Sequence, residues 1–178
     1  AVLREKREFE KRVSATPETV KKIISLGLDV IIEKGAGLGA EISDHLYIEA
    51  GAKIFSSQDD INDADIVIKV QRPIEDSEKH EEECKNLKKN CILIGLLDPF
   101  NNFDQIKQYA DNNITAISLE LVPRITRAQS MDVLSSQSNL AGYKSVLEAA
   151  NEYGKAMPMM MTAAGTVAPA KVFVLGAG

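Results

Sequence analysis

The sequence predicts a doubly wound, mostly parallel α/β sheet that runs into a long helix. Three observations carry that prediction. Short Val- and Ile-rich runs alternate with amphipathic runs as far as Glu120, the pattern of strand-helix-strand units. One run, CILIGLL at 91–97, is wholly apolar, as a strand buried on both faces must be. From Met131 to Ala156 no proline interrupts the chain and β-branched residues are few, which suits one long helix.

The elements follow in order. AVLRE, at 1–5, is a short strand candidate. TPETVKKIISLG then reads as a helix, with Thr16 as N-cap, Pro17 at the first helical position and Gly27 as the stop. Val20, Ile23, Ile24 and Leu28 keep helical spacing. DVIIE is the next strand, GAGLGAE a loop, and Ser43 caps a short helix ending near Gly51. AKIF is a strand, followed by a short polar helix and the strand ADIVIKV. IEDSEKHEEECKNLKKN, at 74–90, reads as a solvated helix whose acids come early and lysines late, as the helix dipole favours. After CILIGLL come a helix, NFDQIKQYADNN, and a buried strand, ITAISLE. In the long helix beyond, Leu140, Tyr143, Leu147, Ala150 and Tyr153 mark one apolar face. The expected division is an N-terminal α/β lobe over 1–131, an interdomain helix over 132–157, and over 158–178 the start of a second domain.

Composition excludes several functions. The net charge is -5 with no basic block, so nucleic acid is not the expected partner, since phosphate neutralisation needs clustered cations. No segment approaches the ~18 consecutive apolar residues of a membrane span. The first residues lack the apolar core of a signal peptide. Cys84 and Cys91 form no Cys-x-x-Cys pair, which fits reduced thiols. His45 and His80 stand without a second ligand at zinc spacing, so no metal site is expected.

Three places could carry chemistry. The loop GAGLGAE holds Gly35, Gly37 and Gly39, but not at the spacing of a phosphate cradle, and a plain strand-to-helix connection accounts for it. At the other end, Val172–Leu175 leads into Gly176-Ala177-Gly178, which is the opening of a dinucleotide-binding turn. The third is residues 121–143, LVPRITRAQSMDVLSSQSNLAGY, where Arg124, Gln129, Asp132 and Ser135 fall among many polar neighbours between a strand and the long helix. A connection that long and polar fits a cap-rich loop and a binding site equally. Arg12 and Lys69 lie near predicted strand ends, where α/β proteins place ligands, and a solvated cation is the ordinary reading of each.

At these residues the chain resembles a known family. PRITRAQSMDVLSSQSNLAGY and MPMMMTAAGTVAPAKVFVLGAG are similar to the NAD-binding alpha subunit of proton-translocating NAD(P) transhydrogenase. EKRVSATPETVKKIISLG, VIIEKGAGLGA and DIVIKVQRP fit the same pattern. The resemblance implies the first, Rossmann-like or flavodoxin-like lobe of the NAD(H)-binding component, plus the first strand of a second, Rossmann lobe. It implies NAD(H) on this component and NADP(H) on a partner component. It also implies a membrane component that moves protons, a homodimer, and a place on the cytoplasmic side of the inner membrane, held there by partner subunits. Arg124, Asp132 and Ser135 would orient the nicotinamide end, and Gln129 would lie toward the partner's dinucleotide. Gly176 and Gly178 would begin the pyrophosphate turn.

The same fold is shared with alanine dehydrogenase, in which Arg12 and Lys69 would match residues that hold a keto acid. The histidine such an enzyme uses is missing from the CILIGLLDPF region. A non-catalytic association lobe is the third reading. Both ends read as cut, and the chain alone is expected to be inactive.

Overall fold

The computed structural model describes residues 1–56, 58–76 and 81–176. The backbone divides into two compact units, Ala1–Asp132 and Val133–Gly178.

In the first unit the sheet is parallel throughout. Strands β1 (Ile31–Glu33) and β2 (Lys53–Phe55) pair in parallel. Strands β3 (Ile66–Gln71), β6 (Ile92–Leu96) and β7 (Thr115–Ser118) form a second parallel group in the order β3-β6-β7. Val2 lies between the groups and bridges Ile32 on one side and Ile68 on the other. The predicted strand AVLRE is therefore reduced to one paired residue.

Side chains alternate between faces with period two. Ile31, Phe55 and Val67 pack in one core with Leu93 and Tyr109, while Ile32, Ile54 and Ile68 pack in the other with Val20 and Tyr47. Helices α1 (Pro17–Ser25) and α2 (Asp44–Glu49) cover the second face; α3 (Phe103–Asp111) covers the first. The caps follow the sequence reading. Thr16 Oγ1 accepts from Thr19 N at 3.3 Å and Gly27 turns left-handed after the last turn of α1, while Ser43 occupies the N-cap position of α2 without a side-chain capping bond.

Three expectations need correction. The described residues of 74–90 are not an α-helix. Strands β4 (Glu75–Asp76) and β5 (Glu81–Glu82) pair antiparallel, and a 3₁₀ turn over Glu83–Asn86 follows. Ser77 to His80, in the middle of the predicted helix, fall outside the described residues. The physical reason is that Glu83, Cys84 and Leu87 are buried; the glutamate is drawn inward to a partner rather than left in water. Second, β7 is an exposed edge strand, since Ile117 is 42% exposed. Third, Val172–Leu175 makes no ladder, since a strand exists only through its neighbours and it pairs with none among the described residues.

The second unit begins with α4 (Val133–Glu152), the predicted long helix, followed by a hairpin of β8 (Met160–Thr162) and β9 (Gly165–Val167).

Candidate functional site

Because β1, β2, β3, β6 and β7 run parallel, their C-terminal ends share one edge, the place where such sheets bind ligands. Four segments meet that edge in the first unit: the stretch before α1, the end of β3, the end of β6, and the chain after β7.

Strand β3 ends irregularly. Its register against β6 shifts between Ile68 and Gln71. Gly95 on β6 permits this, because a Cβ there would stand 2.9 Å from Lys69 O. Beyond the shift, side chains replace the missing ladder. Glu5 Oε1 accepts from Val70 N at 2.7 Å, and Glu83 Oε2 accepts from Ile74 N at 3.0 Å. Arg7 donates to Arg72 O at 3.1 Å, and Gln105 Nε2 donates to Pro73 O at 2.8 Å. Buried backbone groups must find partners, and here four side chains supply them.

Lys69 belongs to this clamp. Alternation turns it to the same face as Val67, and it is 3% exposed. Its Nζ lies 2.9 Å from Glu83 Oε2, 3.9 Å from Glu5 Oε2, and donates to Arg4 O at 3.4 Å. Burial penalises the Glu83 carboxylate, yet Lys69, the Ile74 amide and Lys6 outweigh it and hold its pKa below the ordinary value. For Glu5 burial wins over Lys69 and the two backbone amides, and its pKa is raised. Arg12 is paired as well: its Nε donates to Glu10 Oε1 at 2.8 Å and its Nη2 to Glu10 Oε2 at 2.7 Å. That fork, helped by Gln71 Nε2 at 3.0 Å, pulls the Glu10 pKa down to about 2.

The glycine loop 35–41 does not fit a phosphate. Most of its amides are spent on its own chain: Gly35 N donates to Asp44 Oδ1 at 2.9 Å, and Leu38, Ala40, Glu41 and Ile42 donate to carbonyls within the loop. Gly39 is needed for packing, since a Cβ would meet Lys11 O at 2.8 Å.

The chain after β7 is open by contrast. A short turn over Leu119–Leu121 leads to a 3₁₀ segment, Thr126–Met131, anchored by the buried Ala128. Arg124 and Gln129 are exposed, and Asp132 is half-buried at the end of the segment. Ser135 is exposed in the first turn of α4, in the second unit. Gly176 has φ +85°, the left-handed conformation a tight glycine turn uses, and Gly178 lies outside the described residues. Two groups here escaped the sequence reading. Ser118 Oγ is buried at the end of β7 with no hydrogen-bond partner among the described residues. Glu120 accepts from Leu97 N at 3.2 Å and from Asp98 N. A polar residue within two positions of a strand end was the available signal for both. The segment after β7 carries a cation, an amide and an acid, and Ser118 just before it an orphaned hydroxyl; these are the group types that a nicotinamide carboxamide and its ribose could bond. Among the described residues no cluster of acids, His and Cys could hold a metal.

Comparison with known proteins agrees along the whole chain. The family model of the alanine dehydrogenase/PNT N-terminal domain matches residues 1–141, and that of the corresponding C-terminal domain matches 145–178. An NAD(P) transhydrogenase subunit alpha from Rhodospirillum rubrum is 48% identical over 100% of this chain and 46% of its own length. A crystal structure of transhydrogenase from Sinorhizobium meliloti superposes with a TM-score of 0.91 at 48% identity, covering 99% of this chain and 51% of that one. An L-alanine dehydrogenase structure gives a TM-score of 0.73 at 29% identity over 84% of this chain and 39% of the other. The chain thus spans about half the length of these transhydrogenase relatives.

Proposed function

Since the chain belongs to the alanine dehydrogenase/PNT family, we propose that it acts within the NAD(H)-binding component of a proton-translocating NAD(P) transhydrogenase. Its oxidoreductase reaction is hydride transfer from NADH to NADP⁺ held on a partner component. The observation that favours this over an alanine dehydrogenase is the state of Arg12 and Lys69. The fork of the first faces Glu10, and the ammonium of the second is buried against Glu83, so in-chain carboxylates stand where a keto acid would need free cations.

When bound, the reduced nicotinamide supplies the hydride. Direct transfer between two rings consumes no proton, so the residues need to position rather than to act as acid or base. Arg124 and Asp132 orient the nicotinamide end from the segment after β7. Gln129 lies toward the partner's dinucleotide. Ser135 joins them on the strength of the sequence resemblance. Gly176 and Gly178 begin the pyrophosphate turn of the second domain, with 1–131 as the first lobe, 132–157 as the linking helix and 158–178 as the start of that domain.

Among the described residues no helix is long and apolar enough to cross a membrane. In this reading a membrane component, which carries the protons, holds the protein on the cytoplasmic side of the inner membrane. A homodimer completes the reading: Leu140, Tyr143 and Leu147 form an exposed stripe on α4, and such patches are uncommon on monomers. The test is to assay the complete protein with its NADP(H) component for transhydrogenation, and separately for pyruvate amination. Transhydrogenation without amination supports the reading; the reverse result overturns it.

A further inference from the structure

We infer that Glu120 is a positioning residue for hydride transfer, acting through the segment that bears Arg124, Gln129 and Asp132; this rests on the function proposed above. In the β6-β7 ladder the last paired residues are Gly95 and Ser118. Beyond them β6 runs one residue further, to Leu96, and Leu97, 1% exposed, follows it, while the other chain leaves the sheet in the Leu119–Leu121 turn. The amide of Leu97 thereby loses the carbonyl that a continued ladder would offer, and at Asp98 the chain turns and brings a second amide to the same carboxylate. The Glu120 carboxylate takes both, one oxygen to each. Two charge-assisted bonds to consecutive amides fix the position and the rotation of a carboxylate.

The consequence is mechanical. Asp98 has φ +47°, and its side chain accepts from Asn101 Nδ2 at 2.8 Å and Asn102 Nδ2 at 2.9 Å. The turn into α3 is therefore stiff, and Glu120 borrows that stiffness. Arg124 lies four residues further along, with the exposed Leu121, Pro123 and Ile125 around it. Between Glu120 and the buried Ala128 little of this stretch is packed, so its point of departure helps to fix it. Loss of the tether displaces the segment without touching any ligand contact.

The experiment uses the complete protein with its NADP(H) component. Glu120→Ala should lower kcat for transhydrogenation about tenfold or more, since a shift of about 1 Å can cost a hundredfold. The KM for NADH should stay within about twofold. Glu120→Gln, which keeps one acceptor oxygen and the side-chain volume, should recover some of the rate, and it serves alone where the alanine variant does not fold. A purely structural role predicts a lower melting temperature with normal kcat per folded molecule. Arg124→Ala is measured beside them. Normal kcat in both Glu120 variants with a slow Arg124→Ala overturns the tether and leaves the functional reading standing. Normal kcat in all three overturns the reading as well.

Discussion

Lys69 Nζ and Glu83 Oε2 meet at 2.9 Å in a place where both side chains are at least nine-tenths buried. Removing one member of such a pair strands the other. Lys69→Met should therefore destabilise the protein by about 3 kcal/mol, the lower end of the usual range for a broken buried pair, because Lys6 and the Ile74 amide still serve Glu83. Adding Glu83→Gln should return some of the loss. Thermal unfolding of both single variants and the double one measures the coupling; strictly additive losses would mean the two charges do not interact.

The Glu10–Arg12 fork sets an acid limit. The folded pKa of Glu10 is about 2, below its ordinary value of 4.5. Its contribution to stability is thus complete above 4.5 and is lost as pH falls from 4.5 through about 2. Glu10→Gln should lower the melting temperature near neutral pH, and the gap from the parent should close on acidification across that window. A gap that stays constant from about pH 6 to about pH 3 would count against the fork.

Gly39→Ala should be destabilising by about 1–3 kcal/mol, the usual range for overpacking. The added Cβ would face backbone, Lys11 O at 2.8 Å and Lys11 Cα at 3.0 Å, and backbone cannot rotate away. Denaturant titration gives the value. An unchanged midpoint would show that the loop over 35–41 shifts freely.

In the complete protein, Arg124→Ala, Gln129→Asn and Asp132→Asn should each slow transhydrogenation far more than they lower melting temperature. Asn at 132 keeps the size and hydrogen-bonding capacity of the side chain and removes its charge. Near wild-type rates in all three would reduce the segment to a capped connection.

A charged residue on the exposed stripe of α4 should break the proposed homodimer. Leu147→Glu is the variant, and sedimentation at micromolar concentration is the measurement. A parent protein that sediments as a monomer would remove the dimer from the proposal.

The sequence disclosed what is local and periodic. Thr16, Pro17 and Gly27 bounded α1, and the apolar runs at 66–71 and 92–96 became β3 and β6. It misled where a distant partner decided. Nothing near Glu83 in sequence says that Lys69, fourteen positions away, will draw it under the sheet, so an acid-rich run looked solvated. Lys69 itself could have been caught, because strand alternation pairs it with Val67 on the core side. At the candidate site, the segment 121–132 announced itself by length and polarity, while Glu120 did not: its role depends on where β6 outlasts its neighbour.

Val2, bridged to Ile32 on one side and Ile68 on the other, has a bearing on how the molecule assembles and fails. Its two neighbours lie far from it in sequence, so this seam closes late, after each strand group has formed from nearer contacts. Until then β1 and β3 both present bare edges, the surfaces on which chains pair with one another. Anything that pulls this single stretch away, such as Val2→Pro, which removes the amide that donates to Ile31 O, would reopen those edges. Aggregation during expression, rather than a loss of catalytic rate, is the defect to look for in such variants.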